Sequence, residues 1–177
     1  MDLVSIIRNV PDFPKKGIQF KDITTLIKDP AGFKYACEEI VKHFKDMGIS
    51  KVVGMESRGF IFGSVVAYLL DVGFVPIRKP GKLPAETIKE TYQLEYGTDT
   101  LEMHIDAIEK AEKVLIVDDL LATGGTAKAA GNLVKKAGGI VEAMVFIIEL
   151  TGSLHGREAL EKEGYYVFSE VQIPVHE

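Results

Sequence analysis

Short apolar runs alternate along this chain with longer stretches in which apolar residues recur at helical spacing. Leu3, Ile6 and Ile7 share one face and predict a helix over 3–9, after which Pro11 and Pro14 force an extended segment. Residues 17–27 read as loop or short strand. Asp29-Pro30 has the form of an N-cap followed by proline at the first helical position. Phe33, Ala36, Cys37, Ile40, Val41 and Phe44 then continue a helix to about 47, and Gly48 stops it. The rest of the pattern predicts strands at 51–55, 74–78, 113–117, 140–149 and 165–168 and helices at 60–70, 125–137 and 156–163. Strands at 86–96 and 100–104 form a hairpin around Gly97-Thr98-Asp99. Alternation of this kind predicts an α/β fold, a mostly parallel central sheet with helices on both faces. Such sheets bind ligands beyond the carboxyl ends of their strands, and the loops after Met55, Arg78 and Val117 all leave from that edge. There is no internal repeat and no linker-like stretch. The expected organisation is one core domain, 35–177, with residues 1–34 as an N-terminal cap belonging to the same unit.

The stretch 114–126 carries the most chemistry. Four apolar residues, Val114 to Val117, run into Asp118 and Asp119, and Ala122-Thr123-Gly124-Gly125-Thr126 follows where a helix begins. Backbone N–H groups, the Thr123 and Thr126 hydroxyls and a helix N-terminus converge on one small volume, which suits an anion. Glycine at 124 and 125 lets the backbone approach closely. The two acids repel a phosphate but suit hydroxyl groups attached to it, so the ligand should carry a phosphate and a diol, as ribose 5-phosphate does. An ordinary glycine-rich turn would explain the glycines, but not two carboxylates at the end of a buried strand. No Gly-Lys-Ser/Thr closes the loop, so it is not a nucleotide P-loop.

The bulk composition narrows the partners. A chain of 177 residues with 46% hydrophobic and 27% charged positions is ordinary for a soluble protein with a real core. Its net charge of −5 argues against a broad nucleic-acid footprint, so positive charge for an anionic substrate must be gathered locally. Arg58 after one predicted strand, and Arg78, Lys79 and Lys82 after the next, supply that local excess at the same sheet edge. Cys37 is the only cysteine, which excludes an intrachain disulfide and fits a reducing compartment. Cys37 is read as a packing residue. No apolar stretch reaches signal-peptide or membrane-span form, so a cytoplasmic location is expected. His43, His155 and His176 are expected at the surface.

The segment Asp118-Asp119-Leu120-Leu121-Ala122-Thr123-Gly124-Gly125-Thr126 resembles the signature of the type I phosphoribosyltransferase family. Three further stretches resemble the adenine-using members of that family. They are Phe13 to Thr24, Glu56-Ser57-Arg58-Gly59-Phe60-Ile61-Phe62-Gly63, and Arg78-Lys79-Pro80-Gly81-Lys82-Leu83-Pro84. So does Leu94-Glu95-Tyr96-Gly97, which the family places in a mobile hairpin loop. The resemblance spans nearly the whole chain.

It implies transfer of the phosphoribosyl group of phosphoribosyl pyrophosphate to adenine, giving AMP and pyrophosphate, in purine salvage. Asp118 and Asp119 would hold the ribose hydroxyls, and Ala122 to Thr126 the 5-phosphate. Ser57, Arg58, Arg78, Lys79 and Lys82 would hold pyrophosphate, with Mg²⁺ kept mainly by substrate oxygens and water. Glu95 and Tyr96 would be catalytic, the carboxylate managing the purine proton or the cationic sugar. Phe20 would stack on adenine while the backbone of Gln19 and Lys21 reads its edge. Lys21 stands where many relatives have Arg, and Gln19 where an apolar residue is frequent; lysine cannot form the planar guanidinium fork. The family also implies a homodimer in which Arg78 approaches the neighbour's pyrophosphate. Two other readings are the same chemistry on hypoxanthine, guanine or xanthine, and a non-catalytic sensor of phosphoribosyl pyrophosphate.

Overall fold

The computed structural model describes residues 1–94 and 96–176. In chain order the elements are α1 (Leu3–Ile6), β1 (Arg8–Pro11), β2 (Gln19–Asp22), α2 (Thr24–Ile27), α3 (Pro30–Phe44), β3 (Lys51–Met55), α4 (Arg58–Leu70), β4 (Gly73–Ile77), β5 (Thr87–Gln93), β6 (Thr98–His104), β7 (Lys113–Leu121), α5 (Gly125–Lys136), β8 (Ile140–Gly152), α6 (Gly156–Lys162) and β9 (Val167–Val175). Five parallel strands form the central sheet in the order β4-β3-β7-β8-β9. This is the α/β architecture expected from the alternating pattern.

Two cores lie on opposite faces of that sheet. Val53, Val114, Ile116, Met144 and Phe146 face α5, α6 and the β5–β6 hairpin. Val52, Leu115, Val117, Val145 and Ile147 face α3 and α4. Alternate residues of each strand thus go to alternate cores, and the central strands read as unbroken apolar runs. Helix α3 starts with Pro30 at its first turn and buries Ala36, Cys37, Ile40 and Phe44. Burial pushes the Cys37 thiol up to about 12, which agrees with its reading as an inert packing residue.

Several boundaries differ from the sequence expectation. The first helix ends at Ile6 because Ile7 turns extended (φ −77°, ψ 123°), and β1 pairs antiparallel with β2 from Arg8↔Asp22 to Pro11↔Gln19. The chain at 17–27 is therefore a strand and a short helix. Strand β7 runs through the acid pair to Leu121, beyond the expected stop at 117, because β8 offers it partners as far as Leu121↔Glu149. Strand β9 starts at Val167 and extends to Val175, paired to β8 along its length. Leu3, Ile7, Ile23 and Leu26 are buried in the same core as α3 and α4. The segment before residue 35 and the rest of the chain share that core, and α3 itself crosses position 35.

Candidate active site

The loops after β3 and β7, the start of β4's loop and the N-terminus of α5 surround a cleft of about 290 Å³ at the carboxyl edge of the sheet. Asp118, Asp119 and Ala122 to Thr126 line it together with Arg58 and Lys79, so anion cradle, acid pair and cations open onto one volume. The acids arrive there at the end of the stretch of β7 that alternates between the two cores. Val114 and Ile116 face one core and Leu115 and Val117 the other, yet Leu120 packs with Val117's core and Leu121 with that of Ile116. The alternation between cores changes at Asp118–Asp119 while the pairing with β8 stays in register, and both acids line the cleft.

Asp119 is 4% exposed and accepts a hydrogen bond from Arg58 Nε at 2.5 Å. Asp118 accepts from the Asp119 backbone N–H at 2.8 Å. Burial, and then the neighbouring Asp119 charge, push the Asp118 carboxyl well above the usual carboxylate range. Helix α4 comes close enough to fix this corner: a Cβ on Gly59 would meet the Val117 carbonyl oxygen at 2.9 Å and Asp118 Oδ1 at 3.1 Å.

Gly124 caps α5 with φ +90°, a conformation that side chains disfavour, and its carbonyl accepts from Lys128 N at 2.9 Å. A Cβ there would also press on the Gly156 carbonyl oxygen at 3.2 Å. Helix α6 therefore backs the loop 122–126. It is held by Arg157, which donates from Nε and Nη2 to the buried Glu149 carboxylate at 3.0 and 2.7 Å, and from Nη1 to the Val167 carbonyl at 2.9 Å.

The cations are already occupied. Glu56 accepts from the Lys79 backbone N–H at 2.5 Å and from Lys82 Nζ at 2.6 Å, with Arg78 Nε 3.5 Å away. Burial alone would raise the Glu56 carboxyl, but Lys82 and the Lys79 amide bring it below its ordinary value. The Lys79 ammonium pairs with Asp99 of β6 and holds that carboxyl low. Arg78 lies over the Phe60 ring, 5.8 Å from its centroid, rather than on the cleft wall. Ser57 is exposed at the start of α4. Glu56 and Tyr92 also line the cleft, and Asp99 reaches it through Lys79; no sequence motif marks these three beyond the carboxylate that precedes Ser57-Arg58.

The residues expected to bind a base do not line this cleft. Phe20 meets Phe13 edge-on at 5.2 Å in a separate surface pocket with Val10 and Asp22. Gln19 and Lys21 point to the other side of β2, where Asn9 donates to Gln19 Oε1 at 2.8 Å and accepts from Lys21 Nζ at 2.6 Å. Tyr96 is 88% exposed. Glu95 lies outside the described residues. His43 contacts the Tyr166 hydroxyl at 3.0 Å, and His104 Nε2 accepts from Ala85 N at 3.3 Å.

A family model described as a phosphoribosyl transferase domain matches residues 26–175. An adenine phosphoribosyltransferase of Prosthecochloris aestuarii is 56% identical over 171 residues, covering 96% of each chain. A crystal structure of adenine phosphoribosyltransferase from Thermoanaerobacter pseudethanolicus superposes with a TM-score of 0.92 at 50% identity, covering 97% of this chain and 98% of that one. The Giardia lamblia enzyme, solved with 9-deazaadenine, superposes with a TM-score of 0.91 at 41% identity, covering 99% and 97%. Near-complete coverage at these identities, together with the family model over residues 26–175, places the chain in the phosphoribosyltransferase family, among the adenine phosphoribosyltransferases.

Proposed function

We infer that the chain transfers the 5-phosphoribosyl group of phosphoribosyl pyrophosphate to adenine, releasing AMP and pyrophosphate, as a step of purine salvage. The observation that carries this reading is the single cleft in which a phosphate cradle, a carboxylate pair and a cation cluster meet. The relatives named above are adenine phosphoribosyltransferases, and one was solved with an adenine analogue.

In this reading Ala122 to Thr126 grip the 5-phosphate and Asp118 and Asp119 hold the ribose hydroxyls, the charge-assisted bond to Asp119 contributing about 1.5–3 kcal/mol. Adenine attacks the anomeric carbon as pyrophosphate leaves. Arg58 and Lys79 on the cleft wall, with Lys82 and Ser57 on the same loops, disperse the charge that develops on the leaving group, while Arg78, turned onto Phe60, serves the neighbouring subunit's pyrophosphate. Phe20 supplies a stacking face. Gln19 and Lys21 offer main-chain groups, since their side chains are engaged by Asn9 and one edge of β2 has no strand partner among the described residues. Glu95 handles the purine proton and Tyr96 assists when the hairpin tip closes. Residues 1–34 form a hood over the base.

Mg²⁺ would be held mainly by substrate oxygens and water, as suits an ion that dehydrates reluctantly; the open cleft, with Asp118 and Asp119 on its wall, leaves room for the hydrated ion. Bound there, it would offset the negative charge of the pyrophosphate. A homodimer is supported by α4, an apolar helix whose outer face carries Ile61, Val65, Tyr68 and Leu69, with Tyr68 82% exposed. Among the described residues no helix is long and apolar enough to cross a membrane. We place the protein in the cytoplasm, on the single cysteine and the metabolic role.

The test is product formation from phosphoribosyl pyrophosphate with Mg²⁺ and adenine, guanine or hypoxanthine, followed by chromatography. AMP from adenine is expected. Turnover of guanine without adenine would overturn the base assignment, and binding without turnover of any base would favour the sensor.

A further inference from the structure

We propose that the Tyr92 hydroxyl is a ligand of the sugar's 5-phosphate, so that the stem of the β5–β6 hairpin forms a fixed wall of the phosphate pocket. This rests on the reading of the cleft given above. The phosphate loop's own chemistry does not require a tyrosine from another element, and the resemblance that located the loop assigns none. Yet Tyr92 lines the same cleft as Thr123 to Thr126. Its hydroxyl is 3.3 Å from Thr126 Oγ1, and its ring lies against Gly125, where a Cβ would meet Cδ2 at 3.8 Å. Two hydroxyls at that separation can both donate to one oxygen at about 2.7–2.8 Å from each. A phosphate oxygen held by Thr126 therefore falls within reach of Tyr92 without movement of either residue.

The stem that carries Tyr92 is clamped. Two residues earlier, Glu90 accepts from Asn132 Nδ2 at 3.1 Å and from Lys136 Nζ at 2.5 Å. Lys136 also donates to the Lys89 carbonyl at 2.9 Å. Both partners sit on α5, the helix whose N-terminus is the phosphate loop, so loop and tyrosine are mounted on one body. Across the ladder Tyr92 pairs with Asp99, and its hydroxyl lies 3.4 Å from Asp99 Oδ2. Asp99 in turn holds Lys79. Without ligand, the tyrosine proton has Asp99 or Thr126 to go to; with phosphate present it has a charged acceptor.

The experiment compares wild-type protein with Tyr92→Phe, which keeps the ring and removes the donor. Calorimetric titration with ribose 5-phosphate and with pyrophosphate reads the two anion ends separately. Ribose 5-phosphate should bind about tenfold or more weakly to the variant, the usual effect of losing a hydrogen bond to a charged group, with pyrophosphate affinity unchanged. Equal loss for both anions, or ribose 5-phosphate affinity within twofold of wild type, would overturn the proposal. Should the variant fold poorly, 3-fluorotyrosine placed at position 92 gives a second reading: its ¹⁹F resonance should move on saturation with ribose 5-phosphate, and a signal indifferent to it refutes the assignment. Wild-type protein that binds ribose 5-phosphate but forms no AMP strikes the transferase reading alone.

Discussion

Replacing Asp119 with asparagine separates the two jobs this carboxylate does. Its side chain is almost fully buried, and its one strong partner is Arg58, 2.5 Å away with half of its own side chain exposed. The amide keeps the shape but loses the charge that the guanidinium uses and that, in the proposed reading, the ribose hydroxyls use. Loss of one charge-assisted bond weakens AMP binding by about 1.5–3 kcal/mol, roughly 10- to 150-fold. Fold stability should move far less, because the Arg58 end of the pair is open to water and the variant also removes a like charge beside Asp118. That second effect leaves a signature. Burial and the Asp119 charge together keep the Asp118 carboxyl protonated well above its ordinary pH. With the second cause gone, Asp118 ionises at lower pH, and the pH profile of AMP binding shifts the same way. Calorimetry across a pH series with melting curves on the same samples decides it. AMP affinity within twofold of wild type, or an unmoved profile, would refute the reasoning.

Two further predictions concern the loop and the far side of the fold. Gly124→Ala must adopt φ +90° and press on the Gly156 carbonyl, so it should lose about 1–2 kcal/mol or more and melt several degrees lower, whereas Gly125→Ala, with nothing nearer than 3.8 Å, should keep wild-type melting. Equal melting of both variants would contradict this. Glu170 borders a second cavity of about 280 Å³ with Met1, Tyr35 and Glu39, and neither of its carboxyl oxygens has a partner among the described residues. Burial, then Glu39, raise its carboxyl from 4.5 to about 9. The unfolded chain therefore ionises first as pH rises, and stability falls between these values. Urea midpoints for Glu170→Gln should lack that decline; parallel pH dependence in both proteins would disprove it.

What could be read from the chain was local. Lys51–Met55 is a strand of five residues between a glycine stop and a charged loop, and its limits follow from those neighbours. The Gly124 turn was legible because few residues other than glycine tolerate its φ. Strand β7 was cut short at Val117 because two adjacent acids normally end a buried strand; β8, long enough to keep pairing past them, overrode that signal. The same limit applies to the site. Cradle, acid pair and cations lie in contiguous motifs. Glu56, Asp99 and Tyr92 matter through partners 23, 20 and 34 positions away, and no spacing rule connects them.

Glu56 also bears on how the molecule lets go. It sits among Lys79, Lys82 and Arg78 as a counter-ion that never diffuses away. If these cations take the diphosphate as proposed, an incoming substrate has to outcompete a tethered rival for the same donors, and when chemistry is over that rival is at hand to reclaim them. Part of the attraction between substrate and protein is thereby cancelled in advance, which works against a cycle stalled by its own inorganic product.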